Sequence, residues 1–159
     1  MKVGIFHDQH LEAGGGFSQS LTAVLDFASV LPSSCELVVF STYRSSHDLL
    51  QELGVKSIYI PFVSFLKTIQ YVYFLFDQLS LYFLLKWVCL SPLERIFSIY
   101  GVDLVYFVSP TWLPLTLLKT PFISTIWDLA HVYYPYFPEV SHRSEASYRE
   151  SINSRLALR

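Results

Sequence analysis

Five short apolar runs, separated by helical patterns and loops, constrain the fold of this sequence more than any other feature. Apolar residues are nearly continuous within each run, which is typical of strands buried on both faces. The runs are Lys2–Phe6, Cys35–Ser41, Val55–Ile60, Asp103–Val108 and Phe122–Ile126. This alternation predicts an α/β protein with a Rossmann-like parallel sheet and helices on both faces.

Three segments between these runs have helical signals. Apolar residues in Phe17–Leu31 recur with helical spacing, and Ser46–Leu53 is followed by Gly54, a typical residue just beyond a helix end. Ser91 and Pro92 favour a helix that begins at Pro92, with Ser91 as its cap, and ends near Tyr100.

Phe62–Leu90 is almost continuously apolar and aromatic, with Asp77 and Gln78 near its centre. A membrane span needs about 20 apolar residues, and a central carboxylate is costly there. The segment therefore favours a long helix that packs on the sheet or lies on a membrane surface. The first ten residues lack the apolar stretch of a secretory signal, so we expect a cytoplasmic protein that contacts the inner face of the membrane.

Charged residues form only 15% of the 159 residues, and the net charge is −2. Soluble domains typically have about 25% charged residues. The low charge predicts apolar surface that meets another domain, a partner or a membrane. It also argues against a nucleic-acid partner, because no basic field is present to bind phosphates along a strand.

Gly14, Gly15 and Gly16 follow the first predicted strand and precede a predicted helix. Backbone N–H groups at such a turn can approach a phosphate closely, and a helix N-terminus favours anions. The dinucleotide fingerprint GxGxxG is absent. A phosphate-binding loop and a flexible connector are therefore both open interpretations.

Asp128 and His131 follow the fifth predicted strand and are three residues apart. In a helical turn they would share one face, where a carboxylate can orient an imidazole for general-base or electrostatic work. Alternatively, Asp128 caps a short helix and His131 is a packed polar residue. The nearby Trp127 and Tyr133 either pack in the interior or stack on sugar rings.

Three polar residues follow the first predicted strand: His7, Asp8 and His10. They either line the same crevice or are simple loop residues. Their spacing matches no standard metal site, so we predict no metal. We expect the tips of the first and fifth strands to lie side by side, so that the glycines and Asp128 share one cavity.

The sequence resembles the N-terminal Rossmann-like half of GT-B glycosyltransferases, in particular those of glycosyltransferase family 4. The resemblance covers the whole chain loosely and Asp103–Glu139 most closely. Its matching parts are the opening strand with Gly14–Gly16, the strand Gly101–Tyr106, the segment Thr125–His131, and Pro135 with Phe137–Glu139.

The resemblance implies transfer of a sugar, with retention of configuration, from a nucleotide-sugar donor to a glycan or lipid-linked acceptor such as a growing surface polysaccharide. It implies no further cofactor. Gly14, Gly15 and Gly16 would contact the donor diphosphate, Asp128 and His131 would lie at the reacting centre, and the acceptor would contact His10, Trp127 and Tyr133. Many members carry His-Asp-Leu where this chain has Trp127-Asp128-Leu129, so His131 is the candidate replacement for that histidine.

On this reading, residues 1–140 form the acceptor-side domain and residues 141–159 begin a further helix. The donor-binding C-terminal domain would be missing, so the resemblance predicts a fragment without turnover of its own. The competing hypothesis is a membrane-associated α/β binding or scaffold module without catalysis, anchored through Phe62–Leu90.

Overall fold

A five-stranded sheet forms the centre of the molecule, with the strand order β3-β2-β1-β4-β5. The computed structural model describes residues 1–61, 68, 91–126, 150–151 and 153–156. Every strand pair is parallel, and the order is that of a Rossmann-like sheet. The strands are β1 (Lys2–His7), β2 (Glu36–Ser41), β3 (Ser57–Tyr59), β4 (Leu104–Phe107) and β5 (Phe122–Ser124). The predicted α/β fold class is confirmed.

Helices cover both faces of this sheet, and their predicted positions are confirmed to within a few residues. They are α1 (Gly15–Val30), α2 (Arg44–Glu52) and α3 (Pro92–Ile99). Ser91 caps α3, because its side chain accepts a hydrogen bond from the backbone N–H of Glu94 at 3.1 Å. Gly54, at φ 77°, terminates α2 in a left-handed turn as predicted.

Two apolar layers fix the helices on the sheet. On one face, Leu93 and Phe97 of α3 pack against Phe6, Phe40 and Phe107. The other face carries α1 and α2, whose Val24 and Leu50 pack with Ile5, Val39 and Val108. Burial on both faces explains why the strand sequences are apolar throughout rather than alternating.

Glu94 holds the turn that leads into β5. Its side chain is buried, and its carboxylate accepts hydrogen bonds from the backbone N–H groups of Leu118, Lys119 and Thr120 at 3.1, 2.5 and 2.8 Å. Thr120 adds its hydroxyl at 3.3 Å. A carboxylate in the first turn of α3 thus fixes the start of the edge strand.

The C-terminal part of the chain is described only at residues 150, 151 and 153–156, which are helical. Leu156 packs against Trp112 and Leu115, and the Arg155 guanidinium lies 6.0 Å from the centre of the Trp112 ring. A helix in residues 141–159 is therefore present at those positions. Phe62–Leu90, apart from Thr68, lies outside the described residues.

The expectation that the β1 and β5 tips are neighbours is wrong. β4 lies between them, because β1 pairs with β2 on one side and with β4 on the other. The two tips remain on one edge of the sheet, since all strands are parallel, and two strand spacings separate them by about 10 Å. No helix among the described residues has the length and apolarity needed to cross a membrane.

Candidate functional site

The carboxyl ends of the strands form the edge where a ligand site is expected. The chain leaves β1 toward α1 on one face, whereas the loop after β4 packs Leu113 and Leu117 on the α3 face. A crevice opens where the connections of neighbouring parallel strands diverge in this way. The candidate site therefore lies at the ends of β1 and β4.

Asp8 and Ser109 meet across this crevice. Asp8 directly follows β1, Ser109 follows β4 after one residue, and the buried Ser109 hydroxyl donates a hydrogen bond to the Asp8 carboxylate. Sequence reasoning considered Asp8 only as a crevice, loop or metal residue and missed Ser109. The signal was its position, because a polar residue just past a buried strand lies at the edge where sites form.

His7, the last residue of β1, is fully buried beneath the first turns of α1. Its Nε2 lies 3.0 Å from the Ser20 hydroxyl, which donates its own proton to the carbonyl of Phe17 at 2.9 Å. We therefore assign the Nε2–H tautomer, with the imidazole donating to Ser20. Nδ1 has no hydrogen-bond partner among the described residues.

Burial lowers the pKa of His7 to about 4, because the interior disfavours the imidazolium form. The side chain is neutral at physiological pH. Its edge-to-face contact with Phe17, at 5.5 Å between ring centres, completes the packing. His7 therefore secures the start of α1 against the sheet, and it does not present a charge to the crevice.

The glycine segment is more ordered than a loop. Gly14 caps α1 with φ 61° and ψ −123°, while Gly15 and Gly16 already belong to the helix. A Cβ atom built on Gly14 or Gly15 would meet nothing within 4 Å. The first turn of α1 has neither a side-chain cap nor an acidic residue, and Gly14 and Gly15 are exposed, an arrangement that suits an anion.

His10 lies at the other side of this loop, between the ends of β1 and β2. Its Nδ1 accepts a hydrogen bond from the backbone N–H of Glu12 at 3.2 Å, and its ring contacts Tyr43 edge-on at 5.1 Å. The side chain is half-exposed at the carboxyl edge. The structure places His10 at the carboxyl edge on the β2 side of β1, next to the crevice between β1 and β4, and its role in acceptor binding stays a prediction.

Trp127, Asp128, His131 and Tyr133 lie outside the described residues. The chain is described as far as Ile126. Thr125 continues beside β4, where its N–H donates to the Phe107 carbonyl and its hydroxyl donates to the Tyr106 hydroxyl, both at 3.0 Å. The segment that precedes Asp128 thus leaves the sheet at the same edge as the glycine turn.

His7, Asp8 and His10 do not converge on one point as metal ligands would. His7 turns to Ser20, Asp8 accepts from Ser109, and His10 packs on Tyr43. Within the described residues, no group of three His, Cys, Asp or Glu side chains is arranged to hold a metal ion.

Comparison with known proteins gives little beyond this geometry. No family model matches the sequence, and no curated protein matches it. Among solved structures, the fold is similar to a glycosyltransferase from Rickettsia africae ESF-5, at 15% identity and a TM-score of 0.42. The match covers 86% of this chain but 34% of that protein, so the chain spans about a third of its length. At this identity and TM-score the likeness supports no inference about activity.

The fold and the edge define the class: an α/β protein with a Rossmann-like parallel sheet and an open helix N-terminus at its switch point.

Proposed function

We propose that this chain is the acceptor-binding part of a retaining glycosyltransferase of the GT-B type, similar to glycosyltransferase family 4. It would help move a sugar from a nucleotide-sugar donor to a glycan or lipid-linked acceptor. The observation that carries the proposal is the shared edge: the open glycine turn and the chain leaving β5 toward Asp128 lie at the same carboxyl edge.

The glycine turn supplies the anion-binding half of the proposed site. The backbone N–H groups of Gly15 and Gly16, together with the partial positive charge of the α1 N-terminus, would stabilise the negative charge of the donor diphosphate. This charge grows as the diphosphate leaves. Backbone N–H groups that are already in position therefore stabilise the transition state more than the bound nucleotide sugar. A Cβ atom built on Gly14 or Gly15 would meet nothing within 4 Å, which supports the approach of a phosphate group to this turn.

Asp128 and His131 would act at the other end of the donor. In this proposal, His131 lies near the transferred sugar and Asp128 orients its imidazole, which is the role of a carboxylate beside a histidine in general-base or electrostatic catalysis. Trp127, Tyr133 and His10 would contact the acceptor. The width of β4, which separates the two strand tips by about 10 Å, gives room for a diphosphate that carries a sugar.

The nucleotide itself would bind to a second α/β domain outside these 159 residues. Stabilising a departing diphosphate takes groups from both domains, so we expect the 159-residue chain alone to show no turnover. Clear sugar transfer or donor hydrolysis by the isolated chain would contradict this part of the proposal.

The experiment is a transfer assay on the protein expressed with any coding sequence that continues beyond Arg159. A panel of nucleotide sugars is supplied with lipid-linked and glycan acceptors, and release of nucleoside diphosphate is measured. We expect H131A and D128N to lower kcat by about 10²- to 10⁴-fold, the usual contribution of a positioned acid–base group.

D26N is the matched control, because Asp26 is an exposed carboxylate near the far end of α1. We expect its transfer rate to equal that of the wild type. If H131A and D128N, folded normally by circular dichroism, transfer sugar as fast as D26N, these two residues are not at the reacting centre. If no nucleotide sugar is consumed by the wild type, the transferase proposal itself fails.

A further inference from the structure

A second group of polar and aromatic side chains lies at the carboxyl edge, on the β2–β3 side of the glycine turn. Arg44, the first residue of α2, places its guanidinium 5.9 Å from the centre of the Tyr59 ring. His47, one turn further along α2, lies 6.1 Å from the same ring. These three side chains bring cationic and aromatic groups together at the ends of β2 and β3.

The group is built on fixed supports. The Ser57 hydroxyl lies 2.8 Å from Nδ1 of His47 and 3.2 Å from its carbonyl oxygen, which orients the imidazole. The Ser46 hydroxyl donates to the Gln9 carbonyl at 2.9 Å and so ties the first turn of α2 to the loop after β1. The group is thereby held next to the glycine turn.

Arg44 is poorly placed for stability. A cation at a helix N-terminus opposes the partial positive charge there, usually at a cost of a few tenths of a kcal/mol or more. The first turn of α2 contains no acidic residue, and its N-cap Tyr43 provides no side-chain hydrogen bond. Arg44 forms no salt bridge with any described residue. Proteins tend to break local rules of this kind at functional or strained sites.

The turn before α2 carries a further polar atom without a partner. Thr42 is 4% exposed, and its hydroxyl oxygen has no hydrogen-bond partner among the described residues. A buried hydroxyl is normally satisfied, and no described residue supplies a partner for this one. The backbone N–H groups of the first turn of α2 add donors suited to an anion.

We infer that Arg44, with His47, Tyr59 and the first turn of α2, binds a phosphate group of the acceptor. A guanidinium fork combined with helix N-terminal amides matches the geometry and charge of phosphate. This inference rests on the proposed transferase function. It adds that the acceptor is a phosphate ester, either a lipid headgroup or a soluble sugar phosphate.

Position along the edge sets the length of such an acceptor. Three strand spacings, about 14 Å, separate the ends of β2 and β5. A phosphate held at Arg44 would therefore lie one or two sugar units from a hydroxyl that reacts near Asp128. Binding energy from this remote group would position the reacting end.

The test measures phosphate binding without any donor or transfer. The chain, labelled with ¹⁵N, is titrated with inorganic phosphate and glycerol 3-phosphate, and the amide signals of residues 44–46 and the Arg44 side-chain signal are followed. We expect saturable shifts, with a dissociation constant at least about 10-fold higher in R44Q, since a charge-assisted hydrogen bond contributes about 1.5 kcal/mol or more. R44K, which keeps the charge but loses the fork, should bind with intermediate affinity.

R95Q is the control, because Arg95 is an exposed arginine on α3, which packs on the face of the sheet opposite α2. It should bind phosphate as the wild type does. Three outcomes would overturn the phosphate subsite. They are equal binding by R44Q and R95Q, no saturable shift in the wild type, and equally strong shifts with acetate.

Vesicles distinguish the two sources of phosphate. Arg44-dependent sedimentation with phosphatidylglycerol vesicles, compared with phosphatidylcholine vesicles, would assign a lipid headgroup. Binding of glycerol 3-phosphate without this sedimentation would assign a soluble ester. If the protein binds phosphate through Arg44 but consumes no nucleotide sugar, only the transferase proposal is overturned. If sugar transfer is unaffected when phosphate binding is lost, only the role of the subsite in acceptor binding is overturned.

Discussion

At the residue scale, His7 shows how burial decides what a histidine can do. Its sequence position, at the end of the first strand and beside Asp8, is equally suited to a catalytic or a packed residue. The structure places it fully buried, donating to Ser20, with its pKa lowered to about 4 by burial. A neutral histidine of this kind stabilises the fold only while it stays uncharged.

Stability should therefore fall as the pH is lowered from about 6.5 to about 4. In that window the unfolded chain binds a proton at His7 and the folded chain does not, so acid favours unfolding. A pKa shift from 6.5 to about 4 corresponds to about 3 kcal/mol of the free energy of unfolding. This contribution is fully lost below pH 4. Urea unfolding at a series of pH values measures it.

H7Q and H10Q are the paired variants for this measurement. Glutamine at position 7 can still donate to Ser20 but does not titrate, so H7Q should lose this part of the pH dependence. H10Q, at a half-exposed histidine, should keep it. The interpretation is wrong if H7Q loses stability with acid as steeply as the wild type.

Glu94 is a second residue whose role comes from its contacts. Its carboxylate accepts from three consecutive backbone N–H groups and from the hydroxyl of Thr120. E94Q replaces one oxygen with an NH₂ group that faces these donors. We expect a loss of at least about 2 kcal/mol in the free energy of unfolding, because buried donors are left unsatisfied.

The urea midpoint of E94Q, compared with that of E52Q, tests this role. Glu52 is exposed at the end of α2, and its substitution should change stability by less than about 0.5 kcal/mol. Similar midpoints for the two variants would mean that the turn before β5 does not depend on the Glu94 carboxylate.

At the scale of elements, α1 combines local and ligand-related requirements at its N-terminus. Gly14 adopts φ 61°, whereas Gly15 has helical geometry in open space. G14A should therefore cost about 1–3 kcal/mol through backbone strain alone. G15A should instead stabilise the helix by up to about 1 kcal/mol, because alanine is the better helix former.

The two variants also separate stability from binding. If the donor diphosphate approaches the α1 N-terminus, the added methyl group of G15A will raise the KM for the nucleotide sugar despite the more stable fold. Transfer kinetics and urea unfolding on the same preparations test this. A G15A protein that is more stable and has an unchanged KM would place the diphosphate elsewhere.

At the scale of the whole molecule, the exposed apolar residues of the described segments lie mainly away from the crevice. Most of the large exposed ones in the described segments lie where helices end and strands begin, at the amino edge of the sheet; they are Met1, Val30, Leu53, Ile99 and Tyr100. The low charge content predicted apolar surface, and most of the part that the described residues contribute lies opposite the glycine turn. It therefore does not mark the crevice side of the sheet.

The candidate site was predictable from sequence only in part. Gly14, Gly15, Gly16 and His10 reach the expected edge, because residues just after parallel strands share one edge whatever the strand order. The pairing of Asp8 with Ser109 was not predictable, since the two are 101 residues apart and meet only because β1 and β4 are neighbours. The pairing of β1 with β4 also places β4 between the tips of β1 and β5, which were expected to lie side by side.

The sequence by itself determined the elements and, to within a few residues, their ends. Continuous apolar runs specify strands buried on both faces, and Ser91, Pro92 and Gly54 specify helix ends, because these signals act over a few neighbouring residues. Tertiary structure alone decided which strands pair, that His7 is buried and neutral, and that Arg44 meets Tyr59. Strands of similar apolar composition can pair in many orders, so their neighbours are selected by packing over the whole chain, which no local pattern records.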